Sequence, residues 1–447
     1  MSDNSGKAQF EYTIFGKLIY HLVAFLEGYD LQVVSVCMRA FEMSLKFSPS
    51  KLSTMVTVDS MGLLGGAVIW GTLADIFQCQ FLVAGAAMLT GIANILLASA
   101  SDYKTVLVLR FIHGFGVGAV NPVQPKIVSS SVPTNNHPLS YGLLLAMSCT
   151  GRVFSAILTT LAASKIWYGH NGWRICYIVL GYIWIFMGSV ALVGMKASVA
   201  DKNGSGGQWD NLGKAFRKLT MYIIILVFFV SDAPFCAFTY MVMYLQYLGV
   251  SDIMAGVAVA VTLIGIAVGA GGGGRIISLV GEKYDNYGLL ASGVVCLIIR
   301  FGACAFLFLG PAPKGKLLWY HFLVYFTIGA TMVTLGSVDR TILSNIVHKD
   351  IQATAAAVVR SVAGIASSVV LYPLAGRLAE KVFKYTPSSE ALDKMTDVVK
   401  KKNADALRKT MMYIMLIGTA INAALYLLAM IKCKEDKENG TGASGSS

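Results

Sequence analysis

Residues 71–80 read GTLADIFQCQ, and they close a long apolar run that begins near Leu52. One acid, Asp75, stands where the run ends, and Lys104 is the only base between it and Arg110. A bilayer core calls for about 20 apolar residues per helix, and this run has that length. Outward from it, similar runs lie near 12–38, 52–74, 80–100, 104–125, 139–163, 173–195, 219–245, 252–275, 287–310, 317–344, 353–376 and 409–431. MYIIILVFFV (221–230) and MMYIMLIGTAINAALYLLAMI (411–431) are the plainest, whereas the first, second and tenth runs carry charges. No stretch alternates in polarity as a barrel strand does, so helices must satisfy the backbone in lipid.

The composition agrees. The chain is 55% hydrophobic and 13% charged, against about 25% charged in a soluble protein. Its formal charge of +12 invites a nucleic-acid reading. However, the bases fall between apolar runs and form no separate polar domain, so they suit a membrane surface instead. The cysteines make no CxxC pair and sit mostly within apolar runs, as small hydrophobes. The histidines show no metal-ligand spacing, so no cofactor or metal is expected, and no nucleophile–base pair suggests an enzyme. MSDNSGKAQFEYT at the start has no short apolar core before a cleavage site, so no cleaved signal peptide is expected.

The polar stretch 196–220 divides the twelve runs into six and six. The organisation expected is a cytosolic tail (1–11), a six-helix bundle (12–195), a cytosolic linker (196–218), a second bundle (219–431) and a flexible cytosolic tail (432–447). Six plus six is the layout of transporters built from related halves. Arg152 and Arg360 fall in corresponding runs, the fifth and eleventh, and Asp30 and Asp232 do so in the first and seventh. An even number of spans puts both termini on one side. The bases divide too evenly for the positive-inside rule to choose it. The sequons at Asn203 and Asn439 stay bare if they face the cytosol. A second polar stretch, about 377–409, is expected to be a partly helical loop.

GTLADIF resembles the loop signature of the major facilitator superfamily, Gly-x-Leu-Ala-Asp-Arg-x-Gly-Arg-Arg, through Gly71, Leu73, Ala74 and Asp75. RFIHGFGVGA resembles that family's Arg-x-x-x-Gly-x-Gly-x-Gly signature through Arg110, Gly114, Gly116 and Gly118. NGWRICYIV resembles its Trp-Arg signature through Trp173 and Arg174. TVDSMGLLGGAVIWGTLAD is similar, more faintly, to the Spinster-like branch. The resemblance implies an all-α membrane protein with two pseudo-symmetric six-helix bundles, working as a transporter. It also marks a departure. Gln78, Cys79 and Gln80 replace the family's Gly-Arg-Arg, so the acid that latches the outward-facing state lacks its local bases. A weakened latch there biases the protein toward opening inward. The antiporter signature of the fifth span is absent from AMSCTGRVFSA, which argues against drug/proton antiport.

A charge at the bilayer centre costs upward of about 2.5 kcal/mol unless it is paired or hydrated. The interior acids and arginines should therefore face a cavity or one another. With a rise of about 1.5 Å per residue, Glu27, Asp59, Arg110 and Arg152 fall at depths where they can meet. Glu27 and Asp30, three apart, share a helix face. Neighbouring carboxylates raise each other's proton affinity and an arginine lowers it. Glu27 and Asp59 are therefore read as proton carriers, with Arg110 as the switching partner and Asp30 and His113 beside them. A static ion-pair network is the competing reading, and for His113 a structural role is the simpler one. Arg152 and Arg300 offer forks for a carboxylate or phosphate. With Asp232, Phe235 and Tyr240 they are the candidate solute-binding residues. Asp75, Asp339, Arg340 and Arg360 are the candidate gates. GAGGGGR (269–275) lacks the Lys-Ser/Thr of a phosphate loop and suits a flexible helix end.

The function expected is secondary transport of a small organic solute, an anion among the candidates, by alternating access, with the proton as coupling ion. Partners are the solute, the proton and the lipid bilayer of a plasma membrane or endomembrane, with no nucleic acid and a monomeric state. An uncoupled uniporter is the alternative within this class. A solute-sensing receptor is the alternative outside it, although the polar segments are too short to supply a signalling domain.

Overall fold

A computed structural model describes residues 12–132, 136–195, 219–346 and 352–443. The first half contains α1 (Ile14–Val36), α2 (Met38–Leu45), α3 (Pro49–Ile76), α4 (Cys79–Ser99), α5 (Tyr103–Val117), α6 (Val120–Ser131), α7 (His137–Ala163) and α8 (Gly172–Gly194). The second contains α9 (Leu219–Ser231), α10 (Ala233–Phe238), α11 (Met241–Tyr247), α12 (Asp252–Val268), α13 (Gly274–Leu309), α14 (Trp319–Ile346), α15 (Gln352–Arg377) and α16 (Asp397–Ala443). Among the described residues ten helical stretches have the length and hydropathy of a membrane span. α1 and α14, 23 and 28 residues long, complete the expected twelve. The linker 196–218 lies outside the described residues.

Local chemistry explains several element ends. Pro49 occupies the first turn of α3, where its missing N–H costs nothing. Asp102 caps α5 by accepting from the Thr105 amide at 3.1 Å. Pro234 starts α10 and breaks the seventh span at Asp232. The Gly269–Gly273 run forms a π-helical turn between α12 and α13. Two short antiparallel strands, β1 (Ile166–Trp167) and β2 (His170–Asn171), join α7 to α8 through a turn with positive φ at Tyr168 and Gly169. The 377–409 stretch is helical from Asp397, as its composition suggested.

The two halves repeat one packing scheme. α1 lies on α7, α3 on α5 and α4 on α8; in the second half α9 lies on α15, α12 on α14 and α13 on α16. The Trp-Arg pair stitches the first half together. Trp173 Nε1 donates to Ser44 Oγ at 2.7 Å, and Arg174 reaches the Ala98 carbonyl and, at 2.9 Å, Ser101 Oγ. Gln80, where the family signature has arginine, donates to the Leu192 carbonyl and so ties α4 to α8.

Between the halves, α3 packs on α15 and α7 on α12. The hydrogen bonds that join them gather at the end away from the chain termini. Tyr240 Oη donates to the Pro49 carbonyl at 3.0 Å, Glu380 accepts from the Ser50 amide at 3.2 Å, and Thr57 Oγ1 donates to the Ser368 carbonyl at 3.0 Å. That end of the molecule is closed.

Candidate functional site

Two glycines bring α5 into place. A Cβ on Gly114 would stand 2.0 Å from the Asp59 carbonyl, and one on Gly118 would stand 2.4 Å from that of Leu63. Only glycine at these positions lets α5 lie this close to α3. The approach sets Arg110 and His113, one turn apart, against Asp59 of α3 and Asp30 of α1.

The result is a buried charged chain. His113 Nδ1 lies 2.8 Å from Asp59 Oδ1, and its Nε2 lies 3.0 Å from Asp30 Oδ2. A doubly protonated imidazole has a donor for each carboxylate. Asp30 also accepts from Trp184 Nε1 at 2.7 Å and Asn94 Nδ2 at 3.1 Å, and it is fully buried. Asp59 is 13% exposed and so forms the open end of the chain. Arg110 Nη1 stands 4.0 Å from Asp59 Oδ1. The Arg110 guanidinium donates to Tyr177 Oη and lies 4.9 Å from that ring's centroid. Arg110 Nε has no hydrogen-bond partner among the described groups.

The other sequence candidates divide. Glu27 is apart from this chain and accepts from Ser148 Oγ of α7 at 3.0 Å. Arg152 follows Ser148 by one turn on the same helix face. The expected meeting of Glu27, Asp59, Arg110 and Arg152 is thus two groups, because α7 presents Ser148 to Glu27 while α5 serves Asp59. His113, set beside the proton carriers in the sequence with a structural role as the simpler reading, is the centre of the larger group. Among the described residues, His21 and His321 bond nearby backbone, at Lys17 O and Leu318 N.

In the second half, Asp232 takes Arg360 Nη1 at 2.9 Å and Ser367 Oγ at 2.6 Å. Asp339 is buried, accepts from Tyr426 Oη and from Ser231 Oγ at 3.5 Å, and does not meet Arg360. Asp339 and Arg360 therefore bond within one half among the described groups, not across the boundary between halves. Arg300 is 1% exposed, with Nε and Nη2 unpaired among the described groups. It is buried in the second half's interior. Tyr240 is likewise buried and serves the closed end through Pro49. Phe235 is partly buried against the core. The side chains of Asp75 and Arg340 lie outside the described residues.

Sequence reasoning missed Arg39, Glu42, Tyr247 and Tyr385, which form a second buried charged group at the closed end. The acid and base three apart in MRAFE were the only local signal.

Two six-helix halves with charges gathered in their interior and one end sealed define a multi-pass integral membrane protein of transporter architecture. Residues 20–371 match the Major Facilitator Superfamily, and the chain belongs to that family, whose members are transporters and not enzymes. It is 25% identical over 146 residues to the 3-(3-hydroxy-phenyl)propionate transporter of Escherichia coli (strain K12), covering 33% of this chain and 36% of that one. It is also 25% identical over 181 residues to the 4-hydroxybenzoate transporter PcaK of Pseudomonas putida, covering 40% of this chain and 39% of that one. The matched stretches thus span well under half of these relatives. Among solved structures, a bacterial homolog of the human lysosomal transporter Spinster, inward-facing and unoccupied, superposes with a TM-score of 0.80. Identity there is 16%, with 94% of this chain and 98% of that one covered. The D-xylose-proton symporter gives a TM-score of 0.63 at 13% identity, covering 90% and 97%. These likenesses establish the fold.

Proposed function

We propose that this chain is a secondary active transporter that moves a small organic solute, preferentially an anion, by proton-coupled alternating access. The observation that carries the proposal is the Asp59–His113–Asp30 chain, which runs from a partly exposed carboxylate to a fully buried one. A proton arriving at Asp59 weakens its hold on His113 and Arg110. The histidine then rests on Asp30 alone, and Arg110 gains freedom within its aromatic cage. Loading and release thereby change what α5 grips on α1 and α3. Glu27, bonded to Ser148, which lies one turn from Arg152 on α7, is the second carrier. Arg152 and Asp232, with Phe235 near the Asp232 break, are the solute-facing candidates. Names of the relatives, which include transporters of hydroxylated aromatic acids, support a carboxylated solute.

The halves are assigned to 12–195 and 219–431, with the 196–218 linker, both tails and both termini on the cytosolic side. The closed end then faces away from the cytosol, so this is the inward-opening form.

Purified protein reconstituted in vesicles, given a panel of aromatic and aliphatic carboxylates under an imposed pH gradient, tests the proposal. Solute uptake is expected with internal acidification, and Asp59→Asn should abolish the pH dependence. Uptake that ignores pH and is unchanged in Asp59→Asn and Glu27→Gln rejects coupling and leaves a uniporter.

A further inference from the structure

α2 is a helix of eight residues placed between two spans, and its two charged side chains are buried. Arg39 and Glu42 are 1% and 0% exposed and pair at 2.6 Å. Most of their remaining bonds cross to the other half. Arg39 Nη1 donates to the Ser388 carbonyl at 2.8 Å and Nη2 to the Glu390 carbonyl. Glu42 accepts from Tyr385 Oη at 2.8 Å, from Tyr247 Oη at 3.1 Å and from the Ser388 amide at 3.1 Å. The Arg39 guanidinium also lies 5.1 Å from the Tyr247 ring centroid. The residues gripped are a strap, 383–390, that follows the eleventh span. The strap is held from behind by Asn403 of α16, which binds the Thr386 amide and carbonyl at 2.9 Å each.

The inward side of α2 points to the buried charged chain. Phe41 stacks on Tyr177 with centroids 6.1 Å apart, and Arg110 lies 6.0 Å from the Phe41 ring. One short helix therefore touches the strap with Arg39 and Glu42 and touches the partner of Arg110 with Phe41.

We propose that the Arg39–Glu42 pair, gripping the 383–390 strap, is the gate residue pair that keeps the end opposite the chain termini closed, with α2 linking that gate to the Arg110 site. The pair rests on the alternating-access reading for its role in transport, but its effect on closure is measurable without a solute. Removing the Glu42 carboxylate leaves Arg39, two phenols and one amide without their shared acceptor, and only opening returns them to water. Tyr385→Phe removes a single donor and keeps the ring packing.

Spin labels introduced through unnatural amino acids at Lys104 and Lys401, both exposed at the closed end on opposite halves, report its separation. A second pair at Phe77 and Ile276, exposed near the end that carries the termini, reports the other. The unaltered protein is expected to give a short Lys104–Lys401 distance. Tyr385→Phe and Glu42→Ala are expected to add a longer population, raising its ratio to the short one about tenfold. An unchanged Lys104–Lys401 distribution in a folded Tyr385→Phe protein overturns the proposal, as does a lowered thermal transition with no change in distance. Should the Lys104–Lys401 pair lengthen while Phe77–Ile276 stays fixed, the gate stands and the rocking of the halves does not.

Discussion

Asp30 and Asp59 flank one imidazole yet differ in what losing their charge leaves behind. Asp30 is fully buried with Trp184, Asn94 and His113 all on its Oδ2, so Asp30→Asn leaves an amide oxygen as their acceptor but removes the negative charge that faces His113 in the interior. Breaking a buried pair of this kind costs about 3–5 kcal/mol. Asp59 meets water at its edge and keeps Arg110 only at 4.0 Å, so Asp59→Asn should cost about 1–2 kcal/mol. Thermal unfolding in detergent ranks the two, and the reverse order would refute the division of the site into a buried anchor and an open end. Asp102 gives a pH-dependent contrast outside the bilayer. The Thr105 amide that it accepts holds its carboxyl below the usual carboxylate range. The cap is therefore complete above the ordinary aspartate pKa and is lost as pH falls through the depressed one. Amide exchange at the start of α5, compared with Asp102→Ala at each pH, should show protection near neutrality that vanishes in acid. Equal exchange in the two proteins at neutral pH would remove the cap. The residues of the charged chain were legible because a charge within an apolar run demands a partner. Which acid meets which base was not, since that depends on how far α5 and α7 approach α1 and α3.

Those approaches are set at the level of the element. The Cβ of an alanine at Gly28 would stand 1.9 Å from the Ser148 carbonyl, so α1 and α7 must part to admit it. Gly65, in the neighbouring α3, has nothing within 4 Å of its missing Cβ. Gly28→Ala should therefore destabilise by about 1–3 kcal/mol and pull Ser148 from Glu27. Gly65→Ala should be neutral or stabilise by up to about 1 kcal/mol through backbone entropy. Denaturation midpoints of the two variants check this, and equal midpoints would mean that α1 and α7 are not in the contact described. Spans of this kind are readable from sequence because about 20 apolar residues can hardly be anything else. α2 is not. Eight residues with two charges between apolar runs look like a loop, and the partners that bury them lie more than two hundred residues further along. The π-helical turn at Gly269–Gly273 shows as a glycine run in sequence, but the extra residue per turn does not.

At the scale of the whole molecule, steric strain has an outlet that a single bundle lacks. Gly256 of α12 faces Ala156 of α7 across the boundary between the halves, and a Cβ there would stand 2.3 Å from the Ala156 carbonyl. The overlap is as real as at Gly28, yet it lies between two bodies that can rock apart. Within a half, the helices are tied by short connections and shared cores, so a wedge is relieved only by loosening the fold. Between halves, a wedge near the closed end is relieved by opening that end, which is a state the transport cycle already requires. Gly256→Ala should therefore leave the thermal transition nearly unchanged and lengthen the Lys104–Lys401 distance, whereas Gly28→Ala should do the opposite. Combining Gly256→Ala with Tyr385→Phe should multiply their effects on the open-to-closed ratio, because wedge and gate touch different contacts. If Gly256→Ala unfolds the protein as readily as Gly28→Ala, the seam between α7 and α12 is part of one rigid core, and the halves do not move against each other there.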